Sequence, residues 1–307
     1  MEQEHLDQIV IQLTSIPNFG LEEVYQLIHR FNTLDPKDIP IKVAREVVSK
    51  LAYYHFMLPY GFDSRLRIWR VRKTDGEFKL FTHAADLGYP PKDNIDLKRI
   101  SYKKEAIFYG ASSESTAFAE SRLKEKEVFH LTHYGIKDSG YINMGVIGDI
   151  DRLRRSGSTF LRNKSCGEAY QYILNNLDEN VRWAIYLVDA FFSDWMSRKG
   201  EEHYSITSAI AGEFFNHQHC SGLIYPSVLH EGGHNYAIKA SCYDEFIFPI
   251  TARACMSGKH YGYELRRVLQ SDPSESIDAE GNIHWPKLVA ENIYNEFFKA
   301  QPEYVYI

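Results

Sequence analysis

Three stretches of the chain place charged or hydroxyl side chains beside strand ends and helix starts, where binding and catalytic groups concentrate. The first is Arg65-Leu66-Arg67-Ile68-Trp69-Arg70-Val71-Arg72. Alternate side chains of a strand share a face, so Arg70 and Arg72 fall with Leu66 and Ile68. If that apolar face is inward, Arg70 is an internal guanidinium, costly unless it meets a protein carboxylate or a ligand phosphate. The alternatives are a structural salt bridge, or a register that turns Trp69 and Val71 to the core.

The second stretch runs from Ala106 to Glu120. A short apolar strand ending at Tyr109 enters a turn, and Ser112 or Ser113 can cap the helix that follows. On that helix Thr116, Ala117, Glu120 and Leu123 share a face by their spacing. Glu120 therefore lies on the small, apolar side, away from Glu114 and Ser121. A carboxylate there is either paired with a buried arginine or held for catalysis. Tyr109 by itself reads as ordinary core.

The third stretch is Gly222-Leu223-Ile224-Tyr225-Pro226-Ser227, followed by Gly233-His234-Asn235. A buried strand stops at a proline and presents Ser227, which is either a site residue or a turn serine bonding its own backbone. Between them His230-Glu231-Gly232-Gly233-His234 fits the HExxH pattern of zinc proteases, a chemistry that needs both histidines on one helical face. Two adjacent glycines would cost such a helix about 2 kcal/mol relative to alanine. Pro226 before it and the strand-like Tyr236–Ala240 after it leave little room, and no third ligand stands out. No metal site is expected.

These residues need a scaffold. Residues 1–62 read as helical, with Leu6, Ile9, Val10, Leu13 and then Leu21, Val24, Leu27, Ile28 at helical spacing, and a third helix from Lys42 to Tyr54. Leu58-Pro59-Tyr60-Gly61 marks a boundary. Residues 63–270 mix strands at Leu66–Arg72, Ala106–Tyr109, Tyr141–Ile147, Gly222–Tyr225, Tyr236–Ala240 and Phe246–Ile250 with helices at Ser113–Lys124, Cys166–Asn176, Glu179–Ser197 and Tyr204–Asn216. Residues 271–307 form an extension with a turn at Glu280-Gly281-Asn282 and an amphipathic helix near Leu288–Phe298. The irregular order makes the chain α+β. Val181, Ala184, Ile185, Val188 and Phe192 mark the long helix as core, and Asp189 within it receives no role.

Composition narrows the function classes. The net charge of −6 gives no overall basic footprint for duplex nucleic acid. No apolar run approaches the roughly 20 residues of a membrane-spanning helix, and the start lacks a secretory signal. The four cysteines form no CxxC pair and read as reduced thiols of a cytoplasmic protein. Neither a Rossmann fingerprint nor a P-loop is present.

Taken together, the three stretches resemble the RES domain, named for its Arg, Glu and Ser residues and found in NAD-consuming toxins of bacterial toxin–antitoxin systems. The resemblance runs from Arg65 to Leu269, about two-thirds of the chain. Trp69-Arg70-Val71 looks like the family's opening strand, and Leu97-Lys98-Arg99-Ile100 sits where a second arginine is found. Phe108-Tyr109-Gly110-Ala111 with Ser115-Thr116-Ala117-Phe118-Ala119-Glu120 is similar to its Tyr…Thr-Ala…Glu signature. Leu223-Ile224-Tyr225-Pro226-Ser227 with Gly233 and Asn235 matches the serine segment. Arg99 is followed by Ile100 and Ser101 where the family has an aromatic residue and Asn.

The resemblance implies an ADP-ribosyltransferase-like split, mostly antiparallel sheet with flanking helices, here with an N-terminal helical extension. It implies that Arg70 fixes the pyrophosphate of NAD with help from Arg99, and that Tyr109 stacks on nicotinamide. Glu120 would stabilise the charge developing on ribose, which Ser227 and Asn235 orient. The expected activity is cleavage of the nicotinamide–ribose bond, degrading NAD by hydrolysis or phosphorolysis, with NAD as substrate and no further cofactor. Alternatives are a protein ADP-ribosyltransferase using the same site, and an inactive module that binds NAD or a partner. A cognate antitoxin and a second copy of the chain are candidate partners.

Overall fold

A computed structural model of the chain describes residues 3–15, 20–74, 79–90, 99–100, 106–138, 140–216, 220–287, 289 and 304–306. The chain is α+β, and it divides into two compact units, each assembled from three separate stretches. The division made along the sequence at residues 62 and 270 follows chain order; these units do not.

The first unit comprises Met1–Tyr60, Ile95–Glu105 and Asn143–Tyr225. It carries helices α1 (Gln3–Thr14), α2 (Leu21–Asn32) and α3 (Ile41–Ala52), close to where the apolar spacing puts them. Their inward residues include Leu6, Leu13, Val24, Ile28, Ala44 and Val48. Strand β1 (Tyr60–Phe62) lies at the sequence boundary between the units. Helix α7 (Glu179–Ser197) has the range read from the sequence and buries Val181, Ala184, Ile185, Val188 and Phe192. Asp189 on it is structural: Oδ1 lies 2.8 Å from His55 Nε2, and Oδ2 accepts the Asp151 amide at 2.6 Å. Helices α5 (Asp149–Ser156), α6 (Lys164–Asn175) and α8 (Tyr204–Phe215) complete the helical part. Strands β5 (Ile142–Val146) and β6 (Gly222–Pro226) pair in parallel.

The second unit comprises Gly61–Asn94, Ala106–Ile142 and Pro226–Ile307. Its strands are β2 (Ile68–Lys73), β3 (Ile107–Ala111), β4 (Val128–Ile136), β7 (His234–Lys239), β8 (Ile247–Gly262), β9 (Leu265–Gln270) and β12 (Tyr304–Tyr306). They lie in the order β7-β3-β2-β4-β8-β9-β12, and every neighbouring pair is antiparallel. Strand β2 pairs with β4 from Ile68↔Tyr134 to Lys73↔Phe129. With β3 it shares the single position Trp69↔Ala111 among the described residues.

Both faces of β2 are covered, so the two registers weighed from the sequence each hold in part. Ile68 is fully buried on one face, while Trp69 and Val71 pack against Phe118, Leu123, Phe129, Leu131, Cys255 and Val268 on the other. Phe118 belongs to helix α4 (Glu114–Glu120), which thereby lies on the Trp69 side. Central strand β4, Val-Phe-His-Leu-Thr-His-Tyr-Gly-Ile, is absent from the sequence expectations because burial on both faces erases its alternation. Strand β8 is far longer than the Phe246–Ile250 expected, because a ladder to β4 and β9 rather than local pattern sustains it.

Strands β10 (Ser276–Ile277) and β11 (Ile283–His284) form a hairpin whose turn holds Gly281 at φ 90, in the left-handed region open to glycine. The helix expected near Leu288–Phe298 lies outside the described residues apart from position 289. Among the described residues no helix is long and apolar enough to cross a membrane.

Candidate active site

Helix α4 starts as its sequence predicts. Ser113 is the N-cap, its Oγ accepting the Thr116 amide at 3.1 Å. It does not reach Lys124. Arg122 takes a left-handed φ of 46, and Glu120 becomes the last helical residue. A carboxylate at this end faces the negative pole of the helix, a position that favours cations. Its placement therefore depends on donors from elsewhere.

Those donors come from the third sequence stretch. Ser227 Oγ donates to Glu120 Oε1 at 2.6 Å, and Asn235 Nδ2 donates to the same oxygen at 2.8 Å. No hydrogen bond reaches Glu120 Oε2 among the described residues. Asn235 is buried at the start of β7, opposite Ala111 of β3. Ser227 sits one residue past β6 and accepts the Leu229 and His230 amides at 3.3 and 3.0 Å. It is thus a turn serine and a partner of Glu120 at once, so the two readings of this residue are compatible.

Tyr109 lies two residues before Ala111 on β3, so strand alternation puts it on the side that carries Asn235. Its backbone carbonyl accepts a close hydrogen bond from Arg70. Arg70 itself turns to the other side, over the Phe108 ring at 5.3 Å from its centroid. Its Nε is shut off from solvent with no hydrogen-bond partner, and no carboxylate pairs with it among the described residues. Burial pulls the guanidinium below its ordinary pKa, an effect offset in part by Tyr134, reinforced by the charge of Arg72 and opposed more weakly by Tyr243 and Tyr109. The structure therefore brings Glu120, Ser227 and Asn235 together. Arg70 joins Tyr109 but makes no hydrogen bond to that trio.

Arg99 belongs to the first unit. Its guanidinium donates to the Met196 and Arg198 carbonyls at 3.1 and 2.7 Å, at the carboxyl end of α7. Two of its donors are thus committed to a helix terminus, a favourable place for a cation.

The HExxH segment is a turn, with Gly232 at φ 78. His234 starts strand β7, its Nε2 3.0 Å from the Tyr236 hydroxyl. His230 points instead to Thr116, with Nδ1 2.8 Å from its Oγ1. The histidines do not share the helical face that the zinc chemistry requires. Thr116 and His230 contact the loop of Ser227, and sequence reasoning gave neither a place at the site. Comparison with protein-family models, with curated proteins and with solved structures returns no match to this chain.

Proposed function

We propose that this chain cleaves the bond between nicotinamide and ribose in NAD, with Glu120 as the residue that stabilises the reacting sugar. The observation that carries the reading is the way Glu120 is held. Ser227 and Asn235 converge on Oε1 and, among the described residues, none donates to Oε2. A carboxylate fixed by one oxygen presents the other to a ribose hydroxyl or to positive charge on the sugar, with no reorganisation at the moment of reaction.

The chemistry asks for little else. The C–N bond breaks with its electron pair going to the pyridinium nitrogen, so nicotinamide leaves neutral and no general acid is needed. Water or phosphate then bonds to the ribose carbon and gives its proton to solvent. The transition state resembles an oxocarbenium ion, for which a correctly placed negative charge and fixed orientation are the main requirements. In this reading Arg70, a withdrawn guanidinium that pairs with no carboxylate among the described residues, would take the pyrophosphate, to which its planar fork is suited. Tyr109, on the side of Asn235, would lie against the nicotinamide. The short pairing of β2 with β3, at the single position Trp69↔Ala111 among the described residues, would in this reading be the counterpart of an ADP-ribosyltransferase-like split in the sheet.

The test is nicotinamide release from NAD by the purified chain, with and without phosphate. Turnover giving ADP-ribose or its phosphate is expected. ADP-ribose found only on added protein would redirect the reading to a transferase using the same site. No release under any of these conditions would overturn it.

A further inference from the structure

The donor that holds Glu120 is itself held by a chain of hydrogen bonds ending on a hairpin tip. Thr116 is fully buried on α4, one helical turn before Glu120. Its Oγ1 lies 2.8 Å from Ser113 Oγ and 2.8 Å from His230 Nδ1. On the far side of the imidazole, Nε2 lies 3.1 Å from Glu264 Oε2. An ionised carboxylate only accepts, so Nε2 carries the proton and donates to Glu264. In the neutral ring Nδ1 then accepts from the Thr116 hydroxyl.

Two further features converge on this imidazole. A Cβ at Gly233 would lie 2.5 Å from His230 Nδ1 and 2.5 Å from Thr116 Oγ1, so a side chain there would occupy the bond itself. Glu264 reaches His230 from the turn between β8 and β9, where Tyr263 and Glu264 both take left-handed φ values, 52 and 64. Such a conformation is disfavoured for residues other than glycine. Glu264 Oε1 also accepts the Glu231 amide at 3.2 Å. The same His230 donates its backbone N–H to Ser227 Oγ. One residue therefore ties the Ser227 loop to α4 through its ring and orients the Ser227 hydroxyl through its amide.

We propose that His230 is a positioning residue for the Glu120 carboxylate, clamped between Thr116 and Glu264 so that Ser227 stays on Oε1. The proposal rests on the reading of Glu120 given above. His230→Ala is expected to lower kcat for nicotinamide release about tenfold while KM changes little, because orientation at the reacting carbon is lost. His230→Asn, whose side-chain oxygen can replace Nδ1 as acceptor from Thr116, should recover most of that loss. In a Ser227→Ala background, His230→Ala should lower kcat no further, since the two act in one chain. Independent, multiplying losses, or wild-type kcat in His230→Ala, would overturn the proposal. A carbon-13 carboxyl resonance of Glu120 separates its failure from that of the proposed activity. It should move in His230→Ala whether or not NAD is turned over, and an unmoved resonance sinks the positioning role even in an active enzyme. Absence of nicotinamide release by the wild type sinks the activity instead.

Discussion

Glu120 and Ser227, 107 residues apart in the chain, meet through a 2.6 Å hydrogen bond at the carboxyl end of α4. The contact joins a helix that terminates early to a loop that begins where a buried strand stops. It places a carboxylate against the negative pole of its own helix and compensates with donors from a different part of the chain. Local structure alone would turn such a carboxylate toward solvent.

The first consequence concerns the donors. Ser227→Ala and Asn235→Ala each remove one hydrogen bond to a charged acceptor, an interaction of about 1.5–3 kcal/mol. Each should reduce kcat for nicotinamide release about tenfold to a hundredfold. Glu120→Gln should reduce it by about a hundredfold or more, the usual scale for losing a preorganised electrostatic partner. Steady-state kinetics on the three variants checks the order, and wild-type turnover in Glu120→Gln would remove the carboxylate from the mechanism.

Arg70 gives a second prediction in which stability and binding part company. Its Nε is buried without a hydrogen-bond partner among the described residues, and burial already lowers its affinity for the proton. Arg70→Met should therefore leave the melting temperature unchanged or add about 1 kcal/mol of stability, as replacement of buried charge by apolar volume often does. The same substitution should raise KM for NAD by about tenfold or more. A large loss of stability with unchanged KM would make Arg70 a structural residue.

The packing of α4 provides a third. Phe118 is buried among Leu123, Phe129, Leu131, Cys255 and Val268, and its ring meets Phe129 edge-on at 5.8 Å. Phe118→Ala should cost about 3–5 kcal/mol in denaturant unfolding. Because the helix carries Glu120, activity should fall under conditions where the protein is still folded.

Acid sensitivity is the fourth. Burial pushes His130 down to about 3 and His234 down to about 4. Unfolded histidines titrate near 6.5, so between that pH and these values the unfolded state binds more protons than the folded one. The stabilisation from keeping both rings neutral is complete above about pH 6.5 and declines as pH falls toward 4. Denaturant midpoints at neutral and mildly acidic pH should show the decline. His130→Gln, whose side-chain oxygen can accept the Phe81 amide that His130 Nε2 takes at 3.2 Å, should flatten it.

Much of the frame was legible from local pattern. Helices α1, α2, α3, α6, α7 and α8 announce themselves by apolar spacing, and α4 by its Ser113 cap. Of the trio, Glu120 stands out on the apolar side of its helix and Ser227 after a strand-ending proline, each with a structural alternative beside it, whereas Asn235 is singled out only through the family resemblance. Strand β4 was not legible, because a strand buried on both faces shows no alternation. The length of β8 was hidden likewise, since its extension depends on partners in β4 and β9.

The sequence by itself determined which residues are chemically expensive to bury and therefore need partners, since that follows from side-chain type and local spacing. Only the tertiary structure decided who those partners are. It gave Glu120 two donors on one oxygen, turned Arg99 to the end of α7, and left Arg70 against a strand carbonyl. It also moved His230 from the appearance of a metal ligand to a bond with Thr116, 114 residues away. Hydrogen bonds of this kind are set by chain closure and packing, which local periodicity does not encode.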